Sequence, residues 1–230
     1  MPLHPLVSLR HVLWAVALVV TSVAGAFALG FLFARVAKHL DAEPSAFLAL
    51  GVMLGGVLPS LAVLYFGFWR ACGWGRRELG FVAPRRSLWH LLWWTPLTVV
   101  VGAIGASIVG PLLGVGSEPP SPTDAGLSLP LPLVVVLLAC VTVVVPLIEE
   151  IVFRRVLLDW LGRYLPMWLA AGITIVVFTV AHVSPAAMVY LIFTSTSLTL
   201  ARLWFATLSA PLIIHSTNNA LVALIVLLPA

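Results

Sequence analysis

Glu149 and Glu150 are adjacent carboxylates at the end of an apolar run, Leu131 to Ile148, that is long enough to cross a bilayer. An ionisable group inside a membrane segment costs about 2.5 kcal/mol or more on insertion scales, so such groups face a protein interior, take a partner and mark function. Few partners are on offer. Away from loops and helix ends, the strongly polar residues are Glu149, Glu150, Arg154, His182, His215, Asn218 and Asn219. An acid, two imidazoles and an amide are groups that hydrolysis of an amide bond can use: a base to activate water, and donors for the oxyanion that develops.

Spacing divides the roles. Glu150 and Arg154 are four apart with the acid first, the favourable order for a helical ion pair, which makes Glu150 a structural group. Glu149 is rotated by about 100° and has no partner on its own helix. His182 follows Glu149 by 33 residues, with the reversal Gly162–Pro166 near the middle of that interval. About 16 residues on each side, at ~1.5 Å per residue, put both groups ~24 Å from the turn, so neighbouring antiparallel helices can offer one water an acid and an imidazole. His215 and Asn219, again four apart, share a face of the last helix, whereas Asn218 points elsewhere and reads as a packing residue.

The elements that must hold these groups are membrane helices. Hydrophobic residues make up 62% of the chain and charged residues 9%, against about 45–50% apolar in soluble domains. Continuous apolar runs at 11–34, 46–69, 88–115, 131–153, 166–183, 186–203 and 207–228 predict an all-α polytopic transmembrane bundle of about seven helices. Barrel strands would alternate polar and apolar residues instead. The first run is longer than the ~7–15-residue core of a signal peptide and reads as a retained span. No repeat or linker divides the chain, so 1–230 reads as one integral membrane domain. Cys72 and Cys140 suggest neither a disulfide nor a cysteine metal site.

The formal charge of +4 does not point to nucleic acid, because the basic residues form short juxtamembrane clusters. Arg70 to Arg86 holds five arginines between the second and third runs and is cytoplasmic by the positive-inside rule. Alternating from there leaves only Arg35 and Lys38 of the twelve Lys and Arg outside, and brings Glu149 towards the cytoplasm. The acidic, proline-rich stretch 116–126 is then an outer loop, and Trp89, Trp93 and Trp94 anchor the inner interface.

Glu149-Glu150-x-x-x-Arg154, Phe178-x-x-x-His182 and His215-x-x-x-Asn219, in this order, resemble the three motifs of the CAAX protease and bacteriocin-processing (CPBP, or Abi) intramembrane proteases. The resemblance covers about 131–228, which would be the catalytic core, and more weakly Gly75-Arg-Arg-Glu-Leu-Gly-Phe81. It implies an intramembrane endopeptidase in which Glu149 and His182 activate water, His215 and Asn219 form the oxyanion site, and Glu150, Arg154 and Phe178 give support. Family members have been described both as metalloproteases and as metal-independent glutamate proteases. The resemblance therefore leaves open a divalent metal such as zinc on Glu149, His182 and His215. The implied partners are membrane lipids and a membrane-associated, CAAX-like or otherwise lipidated substrate. Short loops add the expectation of a prokaryotic inner membrane. The segment before the last motif departs from the family, having Ala206-Thr-Leu-Ser209 where a Thr-Gly-Ser-Leu-like stretch is common.

Two other readings use the same residues. A non-catalytic scaffold or bacteriocin immunity protein would need the polar network only for helix packing. A proton-coupled transporter would use Glu149, His182 and His215 as a relay, but the halves show no repeated broken-helix pattern. No His-Glu-x-x-His helix, Gly-x-Ser-x-Gly elbow or paired aspartate motif is present, and no serine nucleophile is nominated.

Overall fold

The computed structural model describes residues 6–40, 42–115 and 125–227. Seven helices run through them: α1 Leu9–His39, α2 Pro44–Ala71, α3 Leu88–Leu112, α4 Leu131–Leu161, α5 Met167–Val180, α6 Pro185–Phe205 and α7 Ser209–Leu227. The described residues contain no strand. Each predicted run holds one helix, and the fold is a helical membrane bundle. Five helices, α1 to α4 and α6, are long and apolar enough to cross a membrane. The shortest of them, α6, has 21 residues, about 31 Å at ~1.5 Å per residue, which matches a hydrocarbon core. Most of the proline-rich connection predicted at 116–126 lies outside the described residues.

The fifth run, predicted at 166–183, is a helix of only 14 residues that stops at Val180. The reason is local. Pro185 opens α6 and disfavours helical backbone before it, while Ser184 caps α6 by accepting from the Ala187 N–H at 3.3 Å. Between the helices, Val183 has φ 61°, a left-handed backbone that is strained for a β-branched residue. The Ser184 N–H closes this three-residue turn on the His182 carbonyl at 2.6 Å.

The chain divides into two compact units. One comprises the described residues within 1–9, 75–119 and 149–218. Here α3 lies tightly on α6: a Cβ at Gly102 would meet the Tyr190 ring at 2.7 Å, the close approach that small residues permit between membrane helices. Ser197 Oγ accepts from Trp94 Nε1 at 2.9 Å and pairs with Thr98 Oγ1 at 2.5 Å. Leu91, Leu198, Ala201, Phe205, Ala210 and Ile214 form the buried core of this unit.

The other unit comprises the described residues within 10–74, 120–148 and 219–230. Its helices α1 and α2 meet through Gly25 and Gly55 and through a Ser22–Ser60 hydrogen bond. A second core is built there on Ala46, Leu50, Leu129 and Val134.

Candidate active site

The site-bearing part of α4 is a wide helical turn, Glu150–Leu157, with π-type hydrogen bonding. Such turns insert a local bulge and recur at functional sites. Arg154 NH1 lies 3.0 Å from Glu150 Oε1, and both side chains are fully buried. Arg154 NH2 donates to Ser195 Oγ at 3.0 Å, and its guanidinium sits 4.2 Å over the Phe178 ring. The predicted ion pair is present, but Glu150 does more than balance Arg154. Its Oε1 also receives His215 Nδ1 at 2.8 Å.

His182 lies just beyond the end of α5, not within it. Its backbone N–H bonds to Thr179 O, which leaves the Phe178 carbonyl without the usual helical donor. The His182 ring takes that place, with Nδ1 at 2.9 Å from Phe178 O. The Phe178-x-x-x-His182 spacing thus has a local meaning: the imidazole caps its own helix end. The Phe178 ring is itself fully buried and touches the rings of Phe153, His182 and His215, with centroids at 5.0, 4.8 and 5.9 Å.

These bonds settle which ring nitrogens carry protons. A carbonyl and a carboxylate charge-balanced by Arg154 can only accept, so Nδ1 of each histidine donates. Both Nε2 atoms then face Glu149: His215 Nε2 is 3.5 Å from Oε2, and His182 Nε2 is 3.9 Å from Oε1. Three acceptors converge when the rings are neutral, at separations too long for a direct hydrogen bond and suited to a bridging water. Glu149 and His182 keep 22% and 30% of their side-chain surface, whereas His215 keeps 4%. The cleft is open on the Glu149–His182 side and closed behind His215.

Glu, His and His are donor types that zinc accepts. Among the described residues no group of three His, Cys, Asp or Glu side chains is gathered into a metal site. No chemical step below is routed through one.

Of the residues singled out in the sequence, Glu149, Glu150, Arg154, Phe178, His182 and His215 come together within one unit. Asn219 belongs to the other unit, where its Nδ2 donates to Val141 O at 3.0 Å. Asn218 is buried and accepts from Tyr190 OH at 2.5 Å, in keeping with a packing role. Sequence reasoning missed Ser195 as the anchor of Arg154 and Phe153 as a wall of the Phe178 pocket. Ser195 stands at no spacing that ties it to a motif, and Phe153 occupies an unspecified position within Glu149-Glu150-x-x-x-Arg154.

Residues 131–221 match a family model described as type II CAAX prenyl endopeptidase Rce1-like. No curated protein and no solved structure matches the chain.

Proposed function

We propose that the chain hydrolyses a peptide bond with water activated by Glu149 and His182, a reading supported by the match of residues 131–221 to the Rce1-like model of type II CAAX prenyl endopeptidases. The observation that carries this reading is the convergence of two imidazole Nε2 atoms on the two oxygens of Glu149. A water among these acceptors gives one proton to Glu149 and directs the other at His182, leaving its lone pair for the scissile carbonyl. Glu149 then passes the proton to the departing amine as the tetrahedral intermediate collapses. His182 is held for this by Phe178 O, and His215 by Glu150, which Arg154 keeps charge-balanced.

Of the two residues the sequence offers for the oxyanion, His215 lies in the same unit as Glu149 and takes the role. With Nδ1–H given to Glu150, His215 donates to the oxyanion from Nε2 only after taking a second proton from solvent before the substrate binds, and the attacking water then sits between Glu149 and His182. The substrate is membrane-associated, and a lipidated, CAAX-like C-terminus is its proposed form. Detergent-purified protein offered prenylated and unprenylated peptides of one sequence, with products read by mass spectrometry, tests this. A new C-terminus at a single internal bond of the prenylated peptide supports it. Intact peptide under conditions where the protein is folded contradicts it.

The converging acceptors favour this reading over a scaffold. Packing alone is satisfied by the Glu150–Arg154–Ser195 contacts and gives no reason for a second, partly exposed carboxylate beside two oriented imidazoles.

A further inference from the structure

The basic segment Gly75–Arg86, which joins α2 to α3, takes no part in the chemistry above. It is nevertheless held firmly. The Leu208 N–H bonds to Gly80 O at 2.9 Å, Thr207 Oγ1 to Val82 O at 2.9 Å, and the Arg85 N–H to Phe205 O at 2.8 Å. From α4, Arg155 Nε donates to Glu78 O at 2.6 Å. Three of these contacts reach the α6–α7 junction, where Ala206 turns the chain with φ 55°.

All four contacts use backbone atoms of the segment, so its side chains remain free to act. Arg76, Arg77, Arg85 and Arg86 are exposed. The first three guanidinium groups make no hydrogen bond or ion pair among the described residues, and Arg86 lies over the Trp204 ring at 5.7 Å. The only acid in the segment, Glu78, is occupied through Oε2 by the Gly75 N–H at 2.9 Å. The result is a backbone-anchored segment that carries four exposed arginines against one acid.

Its place identifies the anion. The segment lies between two helices long enough to span a membrane, and the first two turns of α3 expose Trp89 and Trp93, at 78% and 49%. Tryptophans in that position mark headgroup depth. Arginine forks match phosphate geometry. We propose that Gly75–Arg86 is a binding site for the phosphate headgroups of anionic phospholipids, separate from the Glu149 site and independent of the proposed hydrolysis.

The test is native mass spectrometry of the full chain released from detergent containing equal phosphatidylglycerol and phosphatidylcholine. Comparison variants are R76Q/R77Q/R85Q/R86Q, the same four positions changed to lysine, and R35Q/K38Q as a control elsewhere. The intact chain should retain phosphatidylglycerol in preference. The glutamine variant should lose that preference, by roughly fivefold for each arginine at low salt and less as salt rises. The lysine variant should keep most of it, and R35Q/K38Q all of it. Equal retention of both lipids by the intact chain, or unchanged preference in the glutamine variant, overturns the proposal. A parallel arm with glycerophosphoglycerol and inorganic phosphate separates the sources: displacement of the lipid by either at matched concentration would assign the site to free phosphate instead.

Discussion

His215 donates Nδ1–H to the same Glu150 oxygen, at 2.8 Å, that receives the Arg154 guanidinium at 3.0 Å. One buried carboxylate oxygen thus sets the tautomer of a site histidine and the position of a buried cation 61 residues earlier in the chain. The structural ion pair and the candidate chemistry are one network.

Removing the Glu150 charge should therefore damage both. Glu150→Gln leaves Arg154 buried without its partner, which destabilises by about 3–5 kcal/mol. Replacing the pair together, Glu150→Leu with Arg154→Met, should destabilise less than Glu150→Gln alone, because no charge is stranded. Both variants should lose activity, since His215 loses its acceptor. Thermal unfolding in one detergent, alongside peptide cleavage, checks the order; a double variant less stable than the single one would contradict it.

Phe178→Ala should open a cavity where Arg154, Phe153, His182 and His215 meet, with a loss of about 3–5 kcal/mol. Phe178→Leu should keep most of the stability yet lower kcat, because two imidazoles lose the wall that orients them. Melting curves and kinetics on the same preparations separate the two effects. Wild-type kcat in Phe178→Leu would show that the ring only fills space.

Val183 and Ala206 are the described non-glycine residues with positive φ, and glycine relieves each differently. Ala206→Gly, at the end of α6, should stabilise by about 1 kcal/mol and leave catalysis unchanged. Val183→Gly should also be at least as stable as the parent, the relief of about 1–3 kcal/mol outweighing the added chain entropy. Because that turn fixes His182, its activity should fall. A Val183→Gly enzyme with full activity would show that the strained turn does not position the imidazole.

The helices were legible because apolar runs of this length have few alternatives in a bilayer, and prolines and caps mark their ends. The Glu150–Arg154 pair was legible because residues four apart share a helix face. The approach of Glu149 to His182 is consistent with the turn between them. The Glu150–His215 bond was not legible, since two helices 65 residues apart meet at a rotation that no spacing encodes. His182 was expected on a helix; its capping of Phe178 depends on where α5 stops, and a boundary shift of three residues decides it.

Cleavage should survive a chelator if Glu149 and His182 alone activate the water. Dialysis against EDTA, followed by metal analysis and assay of one sample, checks this. Activity lost with the metal and restored by zinc would overturn the metal-free mechanism while leaving the same side chains in the site.

The central claim is that Glu149 takes the proton from the attacking water. Single-turnover cleavage of a lipidated peptide by Glu149→Gln tests it most directly, with the unfolding midpoint as the control for integrity. The amide keeps the size of the side chain but cannot act as the base, so the rate should fall at least about 100-fold with the midpoint little changed. A folded Glu149→Gln protein cleaving within a few-fold of the parent would contradict the mechanism outright.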